Sequence, residues 1–212
     1  MEEIIKYVST QGLAVVLVSL MIYFGIQFFN ILLEKYKRKN EVKHHDELSV
    51  LRRQIGKEVE AVLQTMVIKT HGARAYVFEF HNGTVSMGGL PFCKMSCTYE
   101  VLNENTNSII DSRQDVSTFL YSKFIKAIYE NKSVIADTLN RTDVESTLGY
   151  ETLVKCGVVI TIRAKACYKN NKVLGYIGVD YTSPQSDETI NEATRIIEDT
   201  SIKIGALLSI NE

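Results

Sequence analysis

Proline is scarce, two in 212 residues, while 45% of the residues are apolar and 23% charged. That balance excludes a disordered or collagen-like chain. No sign of charge dominates: 24 basic against 25 acidic residues leave a formal net charge of −1, without the basic excess that nucleic acid requires of a main partner. Cysteine is sparse. Cys93, Cys97, Cys156 and Cys167 form no dense disulfide framework and read as reduced thiols. The sequence has no phosphate-cradling glycine loop, nucleophile elbow or metalloprotease helix, and no internal repeat or low-complexity tract. The length suits one domain of ordinary size with an appendage.

The appendage is an uncharged run from Leu13 to Leu33, LAVVLVSLMIYFGIQFFNILL. At 1.5 Å per residue it spans roughly 31 Å as a helix, matching the hydrocarbon core of a bilayer. A signal peptide would have a basic start, a shorter apolar core and a small-residue cleavage site, whereas this chain starts MEEIIK. The expectation is a single-pass transmembrane helix over 13–33, after a short extracytoplasmic N-terminus, 1–12. Lys35, Lys37, Arg38, Lys39 and Lys43 follow the span, so the positive-inside rule places the C-terminal part in the cytoplasm and the N-terminus outside. Ser19, Tyr23, Gln27 and Asn30 share one helical face. Amide side chains in lipid seek partners, which suggests self-association. The other reading is that Gln27 and Asn30 reach interfacial water.

A basic juxtamembrane linker, 34–47, leads into the main domain, 48–212. Leu48, Leu51, Ile55, Val59, Val62 and Met66 form a helical stripe that His71-Gly72 ends. A continuous helix through the linker is allowed, but Lys37 and His44 on the seam do not support a coiled coil. ARAYVFEF (73–80) reads as a strand, HNGTVSMGG as a loop and KMSCTYEVL (94–102) as a strand. Residues 117–130 read as a helix capped by Ser117, 134–136 as a short strand and 144–155 as a turn or short helix closed by Cys156-Gly157. Two strands, 158–168 and 172–182, flank a hairpin turn. A final helix starts at Ser186, with Asp187 and Glu188 in its first turn. This order predicts an α+β fold: an antiparallel sheet flanked by N- and C-terminal helices.

The stretch CGVVITIRAKACYKNNKVLGYIGVDYTS, followed by an acidic-capped amphipathic helix, resembles the second half of a GAF domain. ARAYVFEFHNG matches that family's first strand, and the likeness covers roughly residues 46–210. RAYVFEFHNG with GLPFCKMSCTYE also resembles segments of uncharacterised phage-encoded membrane proteins. The GAF resemblance implies a small-molecule sensor, of cyclic nucleotides or pigments, or a dimerisation module acting through its terminal helices. Cyclic-nucleotide binders of the family carry an Asn-Lys pair after the last strand. This chain has Asp180-Tyr181-Thr182 there, and no cysteine context marks a covalently held bilin.

Strand alternation sorts the candidate ligand-binding residues. Tyr76, Phe78 and Phe80 share one face of the first strand; Val77, Glu79 and His81 share the other. Thr161, Arg163 and Lys165 share a face, as do Tyr176 and Asp180. The expectation is a pocket formed by Glu79, His81, Arg163 and Tyr176, suited to an anionic or zwitterionic metabolite. The alternative is that Arg163 and Lys165 lie on a solvated face and Glu79 pairs with a neighbouring cation. Cys93-x-x-x-Cys97, with His71 and His81, has loose zinc spacing, but buried free cysteine is the commoner state. No metal site and no catalytic residue are expected, and no cofactor is indicated. The composite expectation is a membrane-anchored, dimeric, cytoplasmic sensor without catalysis. A membrane scaffold that uses the same fold for protein contacts is the alternative.

Overall fold

The computed structural model describes residues 2–85, 91–103, 106–140, 145–167 and 173–209, with backbone only at 2–20, 37–48, 82–85, 91–92 and 167. The chain divides into two units, residues 1–53 and 54–212. One helix, α1 (Glu2–Thr70), runs through both.

In the first unit, the described half of the apolar run is uncovered. Met21, Ile22, Phe24, Ile26, Phe28 and Phe29 are each more than half exposed. Among the described residues no helix is long and apolar enough to cross a membrane. The side chains of 13–20, the other part of the expected span, lie outside those described.

The second unit is built on a six-stranded sheet ordered β3-β2-β1-β6-β5-β4. The strands are β1 (Arg74–Val85), β2 (Pro91–Leu102), β3 (Val116–Ser117), β4 (Ser133–Asp137), β5 (Ile160–Cys167) and β6 (Val173–Tyr181), and every pairing is antiparallel. Ile55, Val59 and Met66 of the expected α1 stripe are buried, while Leu51 and Val62 are half-buried and Leu63, outside that stripe, is fully buried. His71, in the left-handed region at φ 53°, closes that helix. Helix α4 (Asp187–Leu208) packs on β5 and β6, where Ile162, Ala164, Ile177 and Val179 are fully buried. Its cap is the expected one: Ser186 accepts from the Thr189 amide at 3.2 Å. Helices α2 (Ser122–Glu130) and α3 (Thr147–Lys155) belong to the opposite face, with α2 against β4 and β5. The result is the expected α+β arrangement of an antiparallel sheet between helices.

Two local expectations are corrected. Ser117 does not cap a helix; it pairs with Lys94 in the β2–β3 ladder, and a 3₁₀ turn, Thr118–Tyr121, separates it from α2. Strand pairing holds its backbone extended and takes it away from the helix start. The segment after Phe80 is not all loop either, since β1 continues to Val85 against β2, with an irregularity between Asn82 and Val85. The loop's remainder, 86–90, lies outside the described residues.

The glycines of Gly175-x-x-Gly178 serve two different close approaches. A Cβ at 175 would lie 1.9 Å from the Phe78 carbonyl oxygen, so the glycine lets β6 pair tightly with β1. A Cβ at 178 would lie 2.5 Å from the Tyr76 hydroxyl, so that glycine clears space for the phenol.

Candidate functional site

Alternation along β1 places Arg74, Tyr76 and Phe78 on the face opposite the terminal helices, where β6 contributes Tyr176 and Asp180 and β5 contributes Thr161 and Arg163. Direct pairing of Arg74 with Asp180, and of Thr161 with Asp180, brings the polar members together. Phe78 and Tyr176 stack with centroids 5.0 Å apart, and Phe124 of α2 meets Tyr176 edge-on at 4.8 Å.

A network of buried polar groups threads this aromatic wall. Arg74 Nη1 donates to Asp180 Oδ2 at 2.9 Å, and Nη2 donates to the Asn107 carbonyl at 2.6 Å. Arg74 Nε lies 3.1 Å from Glu100 Oε1 without hydrogen-bond alignment, so that contact is electrostatic. The Tyr76 hydroxyl donates to Asp180 Oδ1 at 3.1 Å and accepts from Arg163 Nε at 3.2 Å. Its single proton being spent on Asp180, the Thr161 hydroxyl at 3.0 Å is the donor there. Arg163 Nη1 donates to Glu145 Oε1, and the guanidinium carbon stands 4.4 Å above the Phe124 ring. Burial works against the Arg163 charge, but the neighbouring Glu145 more than reverses this, and the Arg163 pKa lies well above the usual value. Burial holds the Tyr76 and Tyr176 phenols above their usual range.

Beneath this network lies a cavity with about 50 Å³ of room for water centres, enough for roughly four waters at 10–15 Å³ each. Tyr76, Arg163, Tyr176, Phe124, Glu145 and Arg113 are among its lining residues. Arg113 is the last residue of a 3₁₀ turn, Asp111–Arg113, and its Nη1 and Nη2 donate to Tyr121 Oη at 3.2 Å and Cys156 Sγ at 3.6 Å.

Of the four residues singled out from sequence, Arg163 and Tyr176 meet at this cavity. Glu79 and His81 do not line it. Glu79 pairs with Gly175 and Ser96 on the other face of the sheet. His81 Nε2 lies 2.9 Å from Ser96 Oγ, which itself accepts from the Asp115 amide at 2.8 Å. Sequence reasoning did not single out Arg74, Tyr76, Arg113 or Glu145. Arg74 and Tyr76 carried a signal, since i, i+2 alternation aligns them with Phe78. Arg113 and Glu145 lie in irregular connections and carried none. Among the described residues, no group of three or more His, Cys, Asp and Glu is placed to hold a metal ion, and Cys93, Cys97 and Cys156 are free thiols.

No family model matches the chain, and no curated protein does. Solved structures do. The chain is similar to a far-red cyanobacteriochrome photoreceptor at 11% identity and TM-score 0.56, over 79% of this chain and 96% of that one. The blue-light absorbing PixJ GAF domain of Thermosynechococcus elongatus aligns at 12% identity and TM-score 0.54, over 74% and 89%. The phycocyanobilin-bound GAF domain of a cyanobacterial phytochrome aligns at 16% identity and TM-score 0.51, over 75% and 93%. The fold is GAF-like.

Proposed function

We propose that this chain is a small-molecule-binding sensor module of GAF-like fold that binds its ligand without transforming it. The observation that carries the reading is the cavity on the sheet face, walled by Tyr76, Phe124 and Tyr176 and edged by Arg163 and Glu145. Most ligand sites have this character, an apolar wall with a few placed polar groups. Its titratable groups are largely engaged with one another, which favours binding over proton transfer. A bilin of the kind bound by the phytochrome neighbour does not fit about 50 Å³. The one described thiol on the cavity wall, Cys156, already accepts from Arg113. The ligand is therefore small. Strands β5 and β6 carry the cavity on one face and α4 on the other. A ligand that favours one packing of these strands would thus bias the terminal helix.

The test is native mass spectrometry of the full chain in detergent, purified without added ligand. A retained small molecule that is lost on Arg163→Met, with the fold preserved, supports the reading. A ligand-free wild type with no response to metabolites overturns it.

The same proposal places the module on the cytoplasmic side of a membrane, held by residues 13–33 and assembled as a dimer through Gln27 and Asn30. Supporting it are the exposed apolar side chains of the uncharged run 21–33, interrupted only by Gly25, Gln27 and Asn30, and the basic residues that follow. Cys93 is exposed. An impermeant maleimide should label it only after lysis, and labelling on intact cells would refute the orientation. A scaffold function fits the same exposure and predicts indifference to Arg163→Met.

A further inference from the structure

The outer side of α2 carries apolar surface that the fold leaves in water. Phe124 and Ile128 occupy the inner side of the helix and are buried. Phe119, in the 3₁₀ turn Thr118–Tyr121 before it, is 80% exposed, more than any other large apolar side chain among the described residues. That turn is pinned at two points. The Thr118 hydroxyl donates to the Cys93 carbonyl at 2.9 Å, and the Ser146 hydroxyl donates to the Leu120 carbonyl at 3.1 Å. Phe119, Ile125 and Tyr129 line one open groove along α2. Tyr129 stacks on Phe80 at 6.1 Å and stays half-exposed. Single exposed apolar residues are ordinary, whereas several gathered in one groove mark a contact surface.

Charge selects what that surface meets. Lys126 lines the groove, and Lys123, also exposed, is its neighbour three residues back on the helix. Lys165 donates to the Tyr129 carbonyl at 3.1 Å, and the exposed Lys132 follows the helix end. Glu130, 3.9 Å from Lys126, is the one acid among the lining residues. Lys94, paired across strands with the groove residue Ser117, is matched by Asp115 at 3.5 Å. Four lysines against one glutamate make a basic face on a chain whose net charge is −1. Phenylalanine beside lysine is the pattern of surfaces that sink into the headgroup region, and lysines are drawn to anionic lipid. We propose that this face of the domain docks on an anionic lipid bilayer, with Phe119 entering the headgroup region and Lys123 and Lys126 over lipid phosphates. The inference goes beyond the anchor reading above: it concerns the domain's own surface, whereas that reading rests on residues 13–33.

The test exploits the absence of tryptophan from the chain. The full chain carrying Phe119→Trp is reconstituted with vesicles of phosphatidylcholine, alone or mixed with phosphatidylglycerol, with brominated acyl chains as quencher. Emission from position 119 is expected to be blue-shifted and quenched in the anionic vesicles only, and raised salt should reverse this. Lys123→Gln with Lys126→Gln should lower the docked-to-free ratio about tenfold or more, at roughly fivefold per lysine. A separate chain carrying Ile202→Trp, on α4 across the sheet and 70% exposed, should stay unquenched. Absent quenching at 119, quenching equal in neutral and anionic vesicles, or equal quenching at 202 overturns the inference. An unquenched 119 whose emission shifts on adding polyglutamate assigns the face to an acidic protein and overturns the lipid. If the chain floats with the vesicles through high salt while 119 stays unquenched, docking falls and the anchor stands. If salt releases chain and quenching together, docking stands and the anchor falls.

Discussion

Arg74 of β1 and Asp180 of β6 are direct cross-strand partners whose side chains meet at 2.9 Å, with 1% and 3% of each residue exposed. The same carboxylate holds the Tyr76 hydroxyl, so one aspartate anchors a cation and a phenol in the domain interior. Removing one partner of such a pair strands the other's charge out of water. Asp180→Ala should destabilise the folded domain by about 3–5 kcal/mol, and Arg74→Met should cost at least as much, since it leaves both Asp180 and Glu100 without their cation. Denaturant unfolding of the three chains checks the ranking.

The two glycines of β6 should differ in their response to alanine. At 175 the obstacle is the Phe78 backbone, which cannot move without disturbing the β1–β6 ladder; at 178 it is the Tyr76 side chain. Overpacking costs roughly 1–3 kcal/mol in general. Gly175→Ala should lie at or above the top of that range and Gly178→Ala below it. Gly178→Ala should also release the Tyr76 phenol, which near-ultraviolet circular dichroism would register.

Alkaline pH should unfold the domain earlier than its composition suggests. Burial pushes the Cys97 thiol from 9.0 up to about 12 and raises the Tyr76 and Tyr176 phenols above 10.0. The folded state therefore keeps protons that the unfolded chain releases. Stability is full below pH 9 and falls as pH rises toward 12, by up to about 1.4 kcal/mol per pH unit for each group. Unfolding midpoints measured from pH 7 to 11 should fall along this slope. Replacing Cys97 by serine or Tyr176 by phenylalanine should flatten it.

Ligand retention should separate the residues that alternation grouped together. Glu79→Ala and His81→Ala should leave the retained molecule in place, because neither side chain lines the cavity. Tyr76→Phe, which deletes the hydroxyl shared by Asp180 and Arg163, should reduce it. Comparison of ligand occupancy across the three variants decides the matter.

Local chemistry made much of the fold legible. A serine before two acidic residues starts α4, His71-Gly72 stops α1, and apolar residues at 3–4 spacing mark the face that α1 buries. Each is an interaction within a few residues, so sequence order alone reveals it. Ser117 shows where this reasoning stops. Its preference for a helix start was overridden by pairing with Lys94, a residue far away along the chain.

By itself, the sequence determined the α+β order, the antiparallel hairpins and the membership of each strand face, since all follow from neighbouring residues. Tertiary structure alone decided which face holds the cavity. Alternation divides β1 into two sets without saying what lies above either, and the aromatic set faces the α2 side while the Val77 set faces away. It also decided who meets whom: Arg74 and Asp180 are 106 residues apart, and Glu145 reaches Arg163 from an irregular connection. A buried charge acquires its role from the partner that folding delivers, and no local pattern encodes that partner.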